Sequence, residues 1–189
     1  MAVVFTLVVN FGENLESARR AAATAAGRPP LKAGRHRIPL HPATITSQTS
    51  QTSQTSEYAE HSERPVYAQL SVLPVAVGFG AAPDGTLPRI GLAPEELTEL
   101  GHGLYGLLAE FDGYRAAMVG WDPDSLVDAA YLRTDLTEEL ANGVPDGLVV
   151  SEPLHRDLGA GRHFAPFAPG FVWIPWQGVK PSAPTVGGP

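Results

Sequence analysis

Apolar residues open the chain in a pattern that predicts a central β-strand followed by a helix. Residues 2–11 are almost all β-branched, aromatic or otherwise apolar, which is typical of a strand covered on both faces. From residue 14 to residue 26, Leu15 and several alanines recur at helical spacing, and Gly27 is placed to end that helix. The first helix therefore buries small side chains and packs closely on its sheet.

The next pattern predicts two strands joined by a polar loop. Residues 35–45 can form a strand, but two prolines each remove a backbone donor and restrict it to a sheet edge. The Thr-Ser-Gln repeat that follows offers no apolar residue to bury, so we expect a disordered loop over about residues 46–63. Alternating apolar residues from Val66 onward then predict the longest strand, which ends at Phe79.

The second half of the chain begins with the most regular helical pattern. Pro94 and the two glutamates after it form a good helix start. Leucines then recur at three- and four-residue spacing as far as Phe111, which gives the helix one apolar stripe. Gly113 is placed to end this helix, and residues 114–120 predict a strand.

Beyond this strand, shorter patterns predict a small C-terminal extension. Ser125 and Asp128 resemble a capping pair for a helix that ends near residue 140. Residues 148–151 and 171–176 are short strand candidates. We expect the extension to add one helix and one or two strands to the core.

The order of the main elements is strand, helix, strand, strand, helix, strand, and this order predicts the fold class. Right-handed crossovers through it give an α/β (α+β) fold with a ferredoxin-like split βαβ core (βαββαβ), in which the first and third strands are central. The prolines in the second strand agree with its edge position in this topology. The sequence therefore predicts a ferredoxin-like core with a C-terminal α/β extension.

Length and composition fit one globular unit. The 189 residues are 43% hydrophobic and 17% charged, so we expect a single α+β domain over residues 1–176 and a flexible Gly/Pro-rich tail over residues 177–189. Cysteine is absent, which excludes disulfides and thiolate metal sites. The first apolar run has no basic residue before it and is too short to span a bilayer. We therefore expect a cytoplasmic protein without membrane contact.

Charge is distributed unevenly and suggests a binding surface. Residues 1–45 carry a net charge of +4, and the rest of the chain carries −11. The acidic residues around the predicted helix of the extension are Asp122, Asp124, Asp128, Asp135, Glu138 and Glu139. Such a surface attracts a basic protein partner and disfavours nucleic acid. The first function hypothesis is therefore a non-enzymatic adaptor or immunity-type module that binds a partner through this surface.

No catalytic or cofactor motif in the chain has the residues that its chemistry needs. The glycine-rich segment 78–83 ends in proline where a dinucleotide loop needs glycine. A calcium loop from Asp122 would need glycine and glutamate where Val127 and Arg133 stand, although a metal site of two aspartates and a distant ligand stays open. Ser151 lacks the glycine elbow of a hydrolase nucleophile, and the six histidines lack metal-binding helical spacing. We therefore expect no cofactor and no metal, and the sequence identifies no catalytic residue.

A basic segment near the N-terminus is the candidate anion site. Arg28, Lys32, Arg35 and Arg37 could hold a phosphate through charge and guanidinium geometry. Aromatic residues do not interleave with them, and the acidic remainder of the chain repels a polyanion. A solvated loop between the first helix and the edge strand is the favoured interpretation.

Aromatic residues concentrate near the C-terminus and support a second function hypothesis. Phe171, Trp173 and Trp176 lie in a proline-stiffened segment that either covers the sheet or presents binding anchors. Together with Trp121 they could line a pocket between the core sheet and the extension. The alternative function is therefore an enzyme or a small-ligand-binding protein that uses this pocket. A homo-oligomer formed by pairing of edge strands is compatible with both hypotheses.

Overall fold

The residues that the structure describes form a mixed α/β fold. The computed structural model describes residues 3–49, 66–79, 90–159 and 161–179. In chain order, its strands are β1 (Val3–Asn10), β2 (Leu31–Ala33), β3 (His36–Ile38), β4 (Thr44–Thr49), β5 (Val66–Val72), β6 (Gly78–Phe79), β7 (Ala116–Trp121), β8 (Val149–Ser151), β9 (Ala165–Ala168) and β10 (Phe171–Trp173). The α-helices are α1 (Leu15–Ala26), α2 (Pro94–Leu108), α3 (Ala129–Thr134), α4 (Thr137–Ala141) and α5 (Glu152–Leu158). A 3₁₀ helix, Asp124–Val127, precedes α3.

Most of the strands form one antiparallel sheet with β1 near its middle. The order across the described residues is β4-β5-β1-β7-β8-β10-β9, and β6 pairs with the beginning of β1. The register sets Asn10 opposite Gln69 on one side and opposite Ala116 on the other. β2 and β3 form a separate hairpin. The central position of β1 agrees with its continuous apolar sequence, because both of its faces are covered.

The first face of the sheet is covered by α1 and α2. Leu7 of β1 lies in one core with Ala18 of α1 and Leu104 of α2, and all three side chains are fully buried. The small side chains of α1 let its backbone approach the sheet closely. Both helices are confirmed where the sequence predicts them, and α2 ends at Leu108, slightly before the predicted end. This face has the unbroken apolar pattern of a stable core.

The second face of the sheet is covered by shorter elements. Val8 and Val150 of the sheet lie in a second core with Leu132 of α3, Leu140 of α4 and Leu154 of α5. At the β4–β5 end of this face, the strand positions are polar instead of apolar. The two faces therefore differ in the length of their helices and in the polarity of their strands.

The edge strand and the polar loop differ from their predictions. The edge strand β4 begins at Thr44, after both prolines, and extends to Thr49. Residues 46–49 therefore lie in a strand and not in a disordered loop, because they pair residue by residue with β5. The remainder of the predicted loop, residues 50–63, lies outside the described residues. Local composition does not predict β4, because this strand is stabilised by its pairing with β5.

The predicted long strand and the predicted third helix are each divided in two. Between β5 and β6 the chain leaves the extended conformation, and Ala76 has a positive φ of 63°. Asp128, and not Ser125, caps α3: its Oδ1 accepts a hydrogen bond from Ala130 N (2.9 Å). A break at Leu136 separates α3 from α4. The structure also contains β2, α5 and β9, which the sequence patterns did not predict; β2 lies where a solvated loop was expected and pairs with β3.

The beginning of the predicted flexible tail is packed on the core. Val179 N donates a hydrogen bond to Thr98 Oγ1 of α2 (3.0 Å). The side chain of Val179 also packs against the core of the first face. Residues 177–179 are therefore fixed to α2, and residues 180–189 lie outside the described residues.

Candidate functional site

A polar patch interrupts the second face of the sheet at its β4–β5 end. Gln48, Tyr67, Gln69 and Asn10 share this face, because they alternate with residues of the first core. The 3₁₀ helix after β7 lies near them. Asn10 joins the two layers, since its Nδ2 donates a hydrogen bond to Val127 O (2.8 Å). The patch is therefore an interface between polar strands and a tightly held turn.

A groove of about 280 Å³ lies between these strands and the turn. It is lined by Gln48, Thr49, Tyr67, Gln69, Asp122, Asp124, Ser125, Asp128 and Tyr131. Three of these described lining residues are aspartates, and none of them is basic. We call this cavity the acidic groove.

Each aspartate of the acidic groove is held by a different polar contact. Asp122 Oδ1 accepts a hydrogen bond from Val4 N (3.0 Å), and Asp122 has a positive φ of 44°. Asp124 Oδ1 accepts a hydrogen bond from Gln69 Nε2 (2.6 Å). Asp128 caps α3 and is 2% exposed, whereas Asp122 and Asp124 are exposed. The groove thus has two accessible carboxylates and one buried one.

Gln69 carries an unsatisfied carbonyl oxygen. The residue is 2% exposed, and its Oε1 has no hydrogen-bond partner. The amide orientation follows from its contact with Asp124, because an ionised carboxylate accepts hydrogen bonds and donates none. A buried acceptor without a donor costs about 1–3 kcal/mol. A donor group bound in the groove would recover part of this free energy.

Two tyrosines add aromatic surface to the acidic groove. Burial raises the pKa of Tyr67 to about 12, with smaller contributions from the negative charges of Asp128 and Asp124. The phenol of Tyr67 therefore stays neutral at physiological pH. Tyr131 of α3 also lines the groove and is half-buried. Carboxylates next to aromatic rings form an environment that favours a bound cation.

A second groove of about 380 Å³ adjoins the acidic groove and has a different charge pattern. Tyr67 and Asp128 line both grooves. The second groove also contains the guanidinium groups of Arg115 and Arg133 and the carboxylate of Glu13. We call it the mixed-charge groove.

The two arginines of the mixed-charge groove differ in their contacts. Arg133 Nη2 donates a hydrogen bond to Asp157 Oδ2 (3.3 Å). Arg115 forms no ion pair with any residue in the described part of the chain. Gly12 has a positive φ of 58°, and a Cβ there would lie 2.8 Å from Arg115 Cδ. The glycine therefore lets the stem of Arg115 lie directly against the backbone after β1.

Phe171 and Trp173, two of the predicted binding aromatics, pack in the first core. The ring of Phe171 stacks on that of Tyr114 with centroids 3.9 Å apart. The Trp173 and Tyr105 rings meet edge to face at 5.4 Å. Both side chains are half-buried against the first core. They therefore mainly cover the sheet and leave little surface for a partner.

Trp121 and Trp176 line a separate cavity of about 410 Å³, together with Phe5 and Asp146. We call it the aromatic cavity. Trp176 is fixed against α2, where a Cβ on Gly101 would lie 2.1 Å from its Cη2. The cavity lies between the core sheet and the C-terminal segment, and Trp173 is absent from its described lining.

The four cations of the predicted anion site are divided between ion pairs and solvent. Arg28 forms an ion pair with Glu110, which follows α2. Lys32 Nζ lies 2.8 Å from Glu99 Oε1. Arg35 and Arg37 are exposed. Carboxylates therefore neutralise two of the four cations, which weakens the attraction of this segment for an anion.

The remaining predicted acidic residues lie around α4. Glu138 and Glu139 are exposed in its first turn, and Asp135 is half-buried just before it. They extend the acidic character of the segment that contains Asp122 and Asp124. Asp128 differs from all of them, because its burial removes it from the accessible surface.

The described residues contain neither a metal-binding cluster nor a membrane-spanning helix. Over the described ranges, no group of three His, Asp or Glu side chains is placed to hold a metal ion. In the same ranges, no helix combines the length and the apolar character that crossing a membrane requires. No protein-family model, curated protein or solved structure matches the chain.

Sequence reasoning missed the strand residues of the acidic groove. Tyr67 and Gln69 occupy the polar positions of a strand whose alternate residues are apolar, which is the ordinary pattern of a solvated face. The signal that could have found them is the combination of a large aromatic and an amide on one strand face near the aspartate-rich turn. Their burial depends on a contact between segments that are 55 residues apart.

Proposed function

We propose that the chain is a binding protein whose acidic groove receives the cationic side chain of a basic protein partner. The observation that carries this proposal is the unsatisfied Oε1 of Gln69 in a groove with three aspartates. Lysine and arginine side chains are donors without acceptors, so they complement this set of oxygen atoms. No step of this proposal requires catalysis.

The groove suits a guanidinium or ammonium group for three physical reasons. The accessible carboxylates of Asp122 and Asp124 attract a positive charge, and Gln69 Oε1 offers an acceptor inside the protein. Tyr67 and Tyr131 supply aromatic rings for cation–π contact. The exposed glutamates of α4 extend the negative potential and would increase the rate of encounter with a basic surface.

We also propose that the core has the ferredoxin-like arrangement predicted from the sequence. The strand order β4-β5-β1-β7, with α1 after β1 and α2 before β7, supports it. The additional strands β8, β10 and β9 extend the sheet beyond β7. In this arrangement the acidic groove lies at the β4–β5 end, away from the added strands β8, β10 and β9.

The binding proposal is tested with two peptides that differ in one charge. ¹⁵N-labelled protein at low salt is titrated with acetyl-Gly-Gly-Arg-amide and, as the neutral control, with acetyl-Gly-Gly-citrulline-amide. We expect the arginine peptide to shift the Gln69 side-chain amide signals, with a dissociation constant on the order of 1 mM. Equal effects of the two peptides would refute cation recognition.

A matched pair of variants locates the binding site. Asp124→Asn keeps an acceptor for Gln69 Nε2 but removes a negative charge, so we expect arginine-peptide binding to weaken about fivefold. Asp112→Asn makes the same change at an exposed ion pair with Arg20. Binding to this control should equal that of the wild type. Equal losses in both variants would mean that net charge, and not the groove, attracts the peptide.

The aromatic cavity supports a second candidate function, the binding of a small apolar ligand. Trp121, Trp176 and Phe5 provide its apolar surface, and Asp146 provides one acceptor at its wall. A fragment screen by ligand-observed NMR, repeated on Trp121→Ala, tests this candidate. Fragments that bind the wild type and the variant equally would exclude the cavity as their site.

A further inference from the structure

We propose that the ligand of the acidic groove also carries a carboxylate, and that this carboxylate binds Arg115 in the mixed-charge groove. This inference rests on the proposed function and specifies its ligand. The shared chemistry is a cation and a carboxylate in one short molecule. A free basic amino acid and the C-terminal lysine or arginine of a peptide both have it.

The two grooves adjoin each other at Tyr67 and Asp128, which line both of them. Arg115 N donates a hydrogen bond to Asn10 O (2.7 Å), and Asn10 is the register partner of Gln69. Arg115 therefore lies just before β7, two strand spacings or about 10 Å from Gln69 of β5. A ligand as long as an arginine residue can contact both side chains.

Arg115 is prepared to bind an anion from outside the described chain. It forms no ion pair with the described residues, whereas the neighbouring Arg133 is paired with Asp157. Gly12 gives its stem room against the backbone, because a Cβ at this position would lie 2.8 Å from the Cδ of Arg115. The planar guanidinium offers paired donors that match the two oxygens of a carboxylate.

The charge pattern selects a ligand with both charges over a simple anion. Glu13 and Asp128 line the mixed-charge groove with Arg115 and Arg133, so this groove attracts a free anion only weakly. A carboxylate attached to a cation is brought there by binding in the acidic groove, which raises its effective concentration at Arg115. The two grooves therefore act together on one zwitterionic ligand.

The test compares acetyl-Gly-Gly-Arg with a free carboxylate and the same peptide as its amide, by NMR titration of the full chain. We expect the free carboxylate to bind the wild type about fivefold more tightly. Arg115→Gln should abolish this difference, so that the free carboxylate binds the variant no more tightly than the amide does. Arg19→Gln, an exposed change on α1, should keep the wild-type difference.

Each outcome has a defined meaning. If the amide binds and the free carboxylate binds no more tightly, the inference about Arg115 is wrong and the proposed cation site stands. If neither peptide binds, both proposals fail. A third titration with free L-arginine identifies the source: tighter binding than the peptide acid indicates a free amino acid, and weaker binding indicates a peptide C-terminus.

Discussion

The two faces of the sheet are built from the same strands but are covered in different ways. On the first face, α1 and α2 cover a continuous apolar surface that includes Leu7 and Leu104. On the second face, short helices cover only part of the sheet, and Gln69 and Asn10 are buried polar residues next to two grooves. The difference shows that long helices complete an apolar core, whereas short capped elements leave buried polar groups next to open grooves.

The largest expected effect is the loss of a leucine from the first face. Leu104→Ala removes a fully buried side chain between α2 and the sheet, so we expect the free energy of unfolding to fall by about 3 kcal/mol. Urea denaturation followed by circular dichroism measures this change. Leu15→Ala is the matched control, because Leu15 is 41% exposed and its loss should cost little. Similar losses in the two variants would contradict the assignment of this face as the main core.

Tyr114→Phe should stabilise the first face. The Tyr114 hydroxyl is buried without a hydrogen-bond partner, next to Phe171. Its removal eliminates an unsatisfied polar group while the ring stacking remains, so we expect a gain of about 1 kcal/mol in the free energy of unfolding. The same denaturation experiment measures it. A loss of stability would indicate that the hydroxyl has a partner.

Gln69→Met is the corresponding change on the second face, and it separates stability from binding. Methionine has a similar shape and removes the unsatisfied Oε1, but it also removes the hydrogen bond from Nε2 to Asp124, so we expect the free energy of unfolding to change by less than about 1 kcal/mol. Unlike Tyr114→Phe, it should also weaken binding of the arginine-amide peptide. If Gln69→Met binds the peptide as tightly as the wild type does, the side-chain carbonyl of Gln69 does not contribute to binding.

The smallest expected effect concerns Glu99 of α2, whose carboxylate contacts the β2–β3 hairpin. The hydrogen bond from Lys32, followed by the one from Gly34 N, lowers the pKa of Glu99. A lowered pKa means that the Glu99 carboxylate stabilises the fold above its unfolded pKa, and that this stability is lost as the pH falls through the folded pKa. The melting temperature of Glu99→Gln should therefore be slightly lower than that of the wild type at neutral pH. At strongly acidic pH the two melting temperatures should be equal. If the melting temperatures still differ in acid, the stabilisation by Glu99 does not come from its charge.

The elements with strong periodicity could be predicted from the sequence, and the short ones could not. β1 and α2 each have a long apolar pattern that local chemistry specifies. α5 has Ser151 as its N-cap and Pro153 in its first turn, but its seven residues are too few to show an apolar helical period. β9 contains only Ala165–Ala168 and depends on pairing with β10. Its stability comes from a neighbour that no local window contains.

The candidate site was predicted only on its acidic side. Asp122, Asp124 and Asp128 are visible as a cluster in the sequence, but their division into exposed and buried carboxylates is not. That division follows from the break of the predicted helix, which makes Asp128 a buried N-cap. The opposite wall, Tyr67 and Gln69, reaches the aspartates through tertiary packing alone.

The contact between Trp176 and Gly101 also has a consequence for biosynthesis. The surface of α2 at Gly101 is completed by a side chain that is translated 75 residues later. At ribosomal rates of about 5–20 residues per second, α2 waits roughly 4–15 s for this cover. During that interval the nascent chain exposes apolar surface around Tyr105 that Trp176 covers in the folded protein.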